Sequence, residues 1–385
     1  MINKIKNLLH SESAIGILLI LAAFLAILFQ NINFLSDFYN SFTHYKFLPF
    51  PDYKIEGSVH FWVNDALMVL FFFLIGLELK REMMIGQLKD ISQVTLPIAA
   101  AIGGVLMPAI IFVAINSGNE FAMKGWAIPT ATDIAFAVGV LALLGDKVPS
   151  SLKLFILTIA IVDDLCAILI IAIFYSDDLN LLFLGLSFII AIALFLINKA
   201  NINKKAPYIV LGVLLWFFVL NSGIHATIAG VIVAFCIPLK GKNSMLKSME
   251  HALHTPVNFI ILPLFAFVNA GVSLKGIGAD QLFGSVSLGI ILGLFLGKQI
   301  GIFLFSFIIV KLNLANLPKN SNWTQIYAMG MICGIGFTMS LFINNLAYGG
   351  SDEFGYADRL AILLGSLISG VSGYLSARFL GKKLD

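Results

Sequence analysis

Twelve runs of mostly apolar residues, each close to the length that spans a bilayer, limit what this chain can become. A helix needs about 20 such residues to cross the hydrocarbon layer. The runs fall at roughly 12–30, 59–79, 95–116, 124–144, 151–175, 179–198, 207–220, 222–239, 250–272, 285–310, 323–349 and 357–378. Backbone in lipid must satisfy its hydrogen bonds internally, which for apolar runs of this length means helices. With 59% hydrophobic and 12% charged residues, little of the chain remains for a soluble domain. The expected fold is an all-α polytopic membrane protein, a single transmembrane domain over residues 1–385 with twelve transmembrane helices.

Charge placement orients that fold. If the amino terminus lies inside and the spans alternate, the inner segments hold 18 of the 24 basic residues and the outer ones five. The inner set includes Lys4, Lys6, Lys80, Arg81, Lys204, Lys205, Lys240, Lys242, Lys382 and Lys383. Such a bias follows the positive-inside rule and puts both termini in the cytoplasm. The net charge of +3 then faces anionic lipid, and nothing suggests nucleic-acid binding. The first run resembles a signal peptide but lacks a small-residue cleavage site, so it reads as a retained helix. Cys166, Cys236 and Cys333 all sit in apolar runs without disulfide or metal spacing, as small packing residues do. Residues 31–58 form the longest connection. Pro49, Pro51 and the alternating Tyr53-Lys54-Ile55-Glu56 leave two readings open, a periplasmic loop or a small β-hairpin pairing across a homodimer.

Ionisable residues inside the runs carry the chemistry. Asp163 and Asp164 are the only charges between Lys153 and Asp177. A carboxylate at the bilayer centre costs about 2.5–3.5 kcal/mol on insertion scales, so an adjacent pair reads as a site that binds and releases small cations. Asp133, Lys298 and Asp65 also lie near the midpoints of their runs. Charges at one depth on different helices point to a single polar centre reached by water.

Two runs are weakened as helices. Ile128-Pro129-Thr130-Ala131-Thr132-Asp133 places a proline and β-branched hydroxyl residues before the acid. Gly330-Met331-Ile332-Cys333-Gly334-Ile335-Gly336-Phe337-Thr338 is glycine-rich at a matching place. Paired interruptions are a sequence pointer to a transporter built from repeated halves. Spans 3–5 and 10–12 each hold three helices with the broken one in the middle, as inverted repeats would. Gly289, Gly293, Gly297 and Gly301 form a stripe for close helix packing. Lys298 lies off that stripe. It can pair with Asp163 or Asp164 or meet helix carbonyl ends, as Asp133 can meet amide ends.

Thr132-Asp133, Val162-Asp163-Asp164, Gly297-Lys298 and Cys333-Gly334-Ile335-Gly336-Phe337-Thr338 closely resemble the NhaA family of bacterial sodium/proton antiporters. So do Leu74-Ile75-Gly76-Leu77-Glu78, Lys80-Arg81-Glu82, Ser222-Gly223-Ile224-His225-Ala226-Thr227 and Leu262-Pro263-Leu264-Phe265-Ala266-Phe267, and the resemblance runs nearly end to end. It implies an electrogenic exchanger of Na⁺ or Li⁺ for protons in the bacterial inner membrane, active at alkaline pH. It also implies an ion site at Asp164 and Asp163 in a cytoplasmic funnel, with Asp164 the principal Na⁺ ligand. Thr132 and Asp133 belong at the crossing of the broken helices, and Lys298 pairs with Asp163 or balances helix ends. The implied pH-sensing group is Glu78, Arg81, Glu82, Glu250, His251 and His254, with His225. Two residues depart from the family pattern. Asn221 stands for a lysine, with an expected effect on pH response. Gln299 stands for a proline, with an expected straightening of the tenth helix. No enzyme activity and no cofactor is expected. The rival reading is a sodium-coupled symporter of a small organic anion. An intramembrane aspartyl protease fits less well, because Asp163 and Asp164 share one helix.

Overall fold

A computed structural model describes residues 12–89, 91–176, 178–239, 244–275, 277–349, 351 and 353–380. Lys4, Lys6, Lys240, Lys242, Lys382 and Lys383 lie outside the described residues, as do both termini. The described chain is helical, with no β-strand. In chain order the principal helices begin with α1 (Glu12–Asn31), α2 (Asn33–His44), α3 (Met68–Ile85) and α4 (Ile91–Asn116). There follow α5 (Ile134–Leu144), α6 (Ser150–Phe174), α7 (Leu181–Lys199) and α8 (Lys205–Ser222). Next come α9 (Thr227–Cys236), α10 (Met245–Pro256), α11 (Leu262–Asn269) and α12 (Ser285–Leu292). The last are α13 (Lys298–Lys311), α14 (Trp323–Cys333), α15 (Phe337–Tyr348) and α16 (Ala357–Leu380). Five- and six-residue π-helical segments, Trp62–Leu67, Val257–Ile261 and Gly293–Gly297, lead into α3, α11 and α13.

Among the described residues ten helical stretches are long and apolar enough to cross a membrane, or eleven if α14 and α15, bent by 47°, make one span. The run at 222–239 is the exception to the expected twelve. Gly223 at φ 92° ends α8, which leaves the 10-residue α9 too short to cross by itself. Residues 45–58 turn back through two isolated antiparallel bridges, Lys46 with Ser58 and Phe50 with Ile55. These bridges do not extend into strands.

The chain divides into two compact units. One takes the residues up to Asn31, Asp90–Ala167 and Ala270 onward; the other takes Ile32–Lys89 and Ile168–Asn269. The first unit thus gathers spans three and four, span five as far as Ala167, and spans ten to twelve, with the first helix. Within it the glycine stripe serves packing. A Cβ on Gly301 would stand 2.0 Å from the Gly103 carbonyl oxygen, and one on Gly297 would stand 2.7 Å from the Pro108 Cα of α4. In the second unit α3 lies against α9 over a core that includes Leu77, Leu194, Tyr208, Leu215, Ala234 and Leu246.

Candidate ion site

In the first unit two interrupted helices meet through their breaks. Glu120–Met123 and the 3₁₀ segment Lys124–Thr130 stop at Pro129-Thr130, and Ala131 to Asp133 run extended before α5. Proline supplies no donor for the next turn, so the helix restarts only where Asp133 can cap it. Opposite, α14 ends at Gly334 and α15 starts at Phe337. Glycine is needed there because a Cβ on Gly334 would meet the Leu294 carbonyl oxygen at 2.3 Å. The breaks are tied directly: the Asp133 N–H donates to the Ile335 carbonyl at 2.7 Å, and the Ser340 hydroxyl to the Ile128 carbonyl at 2.7 Å.

Asp133 is 2% exposed and faces the amide ends of two helices at once. Its carboxylate accepts the Phe136 N–H of α5 at 2.9 Å and the Thr338 N–H of α15 at 3.0 Å, with the Thr338 hydroxyl as a further donor. Helix amino ends favour negative charge, so this acid is held by the two breaks themselves. Ser366 accepts the neighbouring Phe337 N–H at 3.0 Å.

Asp163 sits on unbroken α6 beside the crossing. Its Oδ2 lies 2.5 Å from Lys298 Nζ, and both side chains are fully buried. The same oxygen is 2.7 Å from the Thr132 hydroxyl, which is also 2.8 Å from the Cys333 carbonyl. Thr132 has one proton and donates to one of these acceptors at a time. Asp163 Oδ1 is buried and has no hydrogen-bond partner among the described residues. Asp164 follows it on α6, 3% exposed and about 100° further round the helix. The structure therefore brings together Thr132, Asp133, Asp163 and Lys298, and of the two acids open to Lys298 in sequence it is Asp163 that pairs. The donors here are carboxylate, hydroxyl and carbonyl oxygens. Such a set suits a hard cation rather than a thiolate- or imidazole-seeking metal.

The π-helical segment Gly293–Gly297 leads into α13, with the Lys298 N–H reaching back to the Gly293 carbonyl. The Gln299 side-chain amide donates to the Phe295 carbonyl at 2.8 Å.

The other expected residues belong to the second unit. Asp65 lies in the π-helical segment Trp62–Leu67, its carboxylate 3.5 Å from His225 Nε2 and its carbonyl accepting the Trp216 N–H at 2.6 Å. His225 Nδ1 is 2.8 Å from the Thr227 hydroxyl. Arg81 joins α3 to α10, its Nε 3.0 Å and 3.1 Å from the two Glu250 oxygens and its Nη1 2.5 Å from Glu82. Glu78 lies one helical turn before Glu82 on α3, partly buried, whereas His251 and His254 are exposed on α10. Asn221 is buried and donates to the Phe217 carbonyl one turn back at 2.8 Å.

Thr338 and Ser340 escaped the sequence reading. Thr338 was quoted in the sequence only as the last residue of the glycine-rich motif, with no role at the site.

A family model described as Na+/H+ antiporter 1 matches residues 6–376. A protein named Na(+)/H(+) antiporter NhaA 1 from Campylobacter hominis is 56% identical over 385 residues, covering 98% of this chain and 96% of the relative. One named Na(+)/H(+) antiporter NhaA from Campylobacter curvus is 55% identical over 374 residues, covering 96% and 93%. Another of that name from Sulfurovum sp. is 52% identical over 381 residues, covering 97% of both. A match of this extent over a chain of bilayer-length helices makes it a multi-pass membrane protein that belongs to the Na+/H+ antiporter 1 family.

Proposed function

We propose that this protein exports Na⁺, or Li⁺, in exchange for protons across the bacterial inner membrane, with both termini cytoplasmic. The observation that carries the reading is Asp163, a buried acid with one oxygen held by Lys298 and Thr132 and the other without a partner, next to Asp164. Sodium and protons seek the same carboxylate oxygens, so the pair holds one or the other. Coupled acids titrate as a unit, and the protons released belong to the pair. Lys298 is a third competitor, because a sodium ion that takes Asp163 Oδ2 must displace its ammonium group. Asp164 is the principal cation ligand, and Asp133 holds the crossed helices together while their occupant changes.

Both broken helices, and spans three to five and ten to twelve apart from the end of span five beyond Ala167, fall in one unit, which supports inverted repeats and alternating access at this site. If more than one proton enters per cation, the membrane potential drives export by about 2.3 kcal/mol per charge per 100 mV. Arg81, Glu82 and Glu250, with Glu78, His251 and His254 nearby in sequence, form the pH-responsive entrance, and His225 acts beside Asp65. The connection 31–58, which the structure builds from α2 and the two bridges, joins two copies, with lipid around them. The names of the relatives favour exchange over symport with an organic anion.

The test is sodium-dependent proton movement in proteoliposomes without added solute. The wild type exchanges and Asp164→Asn does not, while reaching the membrane at normal levels. Undiminished exchange by that variant, or a wild type that moves protons only with an organic anion, overturns the reading.

A further inference from the structure

We propose that Asn344 and Asp358 form a second alkali-cation site in the first unit, at the outer end of the path from the helix crossing. Asn344 lies on α15, six residues beyond Thr338, which is about 9 Å along the axis. It is 2% exposed, and its Nδ2 donates to Asp358 Oδ2 at 2.7 Å. Asp358, in the first turn of α16, is 7% exposed and has no ion-pair partner within 4.0 Å among the described residues. Its neighbour Arg359 turns away, with Nη2 3.4 Å from Asn345 Oδ1 and the guanidinium over the Tyr356 ring at 5.5 Å.

The helix amino end accounts for a negative charge at Asp358. It leaves Asn344 Oδ1 unexplained, a buried oxygen without a hydrogen-bond partner among the described residues. The two atoms of one amide are about 2.2 Å apart. With Nδ2 at 2.7 Å from Asp358 Oδ2, that orphan oxygen lies within about 4.9 Å of the carboxylate. Hard cations of this size hold oxygens at about 2.3–2.6 Å, so one ion can take both groups once the amide turns its oxygen, in place of its nitrogen, toward Asp358. One formal charge and one neutral oxygen suit a monovalent ion that must leave again better than a tightly held divalent one. The role as an exit station rests on the antiport reading above; the binding itself does not.

The experiment measures ²²Na⁺ binding to purified full-length protein carrying Asp164→Asn, which removes the principal ligand proposed for the first site and leaves the buried Lys298–Asp163 pair intact. Saturable sodium binding remains in that background. It is lost with Asp358→Asn and weakened about tenfold with Asn344→Ala, the size of one lost ligand. Absence of binding in the background, or binding that survives both further changes, overturns the site. Should Asp358→Asn fail to fold, Asn344→Ala decides alone. A fall in thermal stability with unchanged sodium affinity would mean that the pair only ties α15 to α16, and would also overturn it. Failure of exchange by the wild type leaves this result standing and strikes only at its role in transport.

Discussion

Both units interrupt helices, but they neutralise the exposed ends with different chemistry. In the first, the amide ends of α5 and α15 converge on the buried Asp133 carboxylate, and a fully buried Lys298 meets Asp163. In the second, the carbonyl end of α9 is met by Lys80, whose ammonium donates to the Phe235 and Ile237 carbonyls at 2.7 Å and 2.6 Å. Lys80 is partly exposed, and so is the Arg81 side chain at 32%. Water relieves a charge near the rim of the second unit when its partner leaves. A charge at the crossing has no such relief, so its partner must be replaced by another ion. That contrast fits the proposal of cation exchange at the crossing and a pH response at the rim.

The sharpest break in the comparison is Lys298→Ala. Removing one member of a fully buried pair leaves Asp163 uncompensated and costs about 3–5 kcal/mol. Thermal unfolding in detergent should show a large loss, and a pH profile of exchange should move with it. Unaltered stability together with an unaltered profile would show that the pair is not the tie described. Asp133→Ala comes next. It strips a cap from two helix starts at about 0.5–2 kcal/mol each. Asp133→Asn should recover much of the stability, because an amide oxygen still accepts N–H bonds. Equal losses from the two substitutions would contradict the capping role.

How far the sequence disclosed this arrangement depends on which residues carry it. Apolar runs and midplane charges are local signals, so the helices and Asp133, Asp163 and Lys298 were legible. Pro129 and Gly334 exposed the breaks because each disturbs its own backbone. The choice of Asp163 over Asp164 as the lysine's partner came only through the family resemblance, since it depends on the rotation of α6 against α13. The grouping of Asp65 with His225 was not legible, because depth in the membrane says nothing about which helices pack together. The run at 222–239 misled through composition. Its apolar residues are continuous enough for a span, but Gly223 consumes the start of it in a turn.

Gln299→Pro probes the crossing side at smaller amplitude. An interior proline ordinarily costs about 3 kcal/mol. Here the helix already departs from α-helical bonding just before this position, with the Lys298 N–H bonded five residues back. The loss should therefore stay near or below about 1 kcal/mol, mainly from the bond between the Gln299 side chain and the Phe295 carbonyl. A full proline penalty in the thermal melt would mean that the π-helical segment does not prepare the site for proline.

Arg81→Gln tests the second unit and should disturb stability least. An ion pair whose arginine is 32% exposed contributes about 0.2–1 kcal/mol after screening, even with the Arg81 Nε shared by both Glu250 oxygens. Its effect on exchange should be the larger one. With the cation gone, Glu250 loses its tie to α3, and the pH profile of exchange should depart from that of the wild type. Added salt should shrink the difference between variant and wild type, since it screens a pair near solvent, whereas the Lys298→Ala deficit should resist salt. If both deficits respond to salt alike, the two regions do not differ in access to water, and the division between an exchange site and a responsive rim falls with that result.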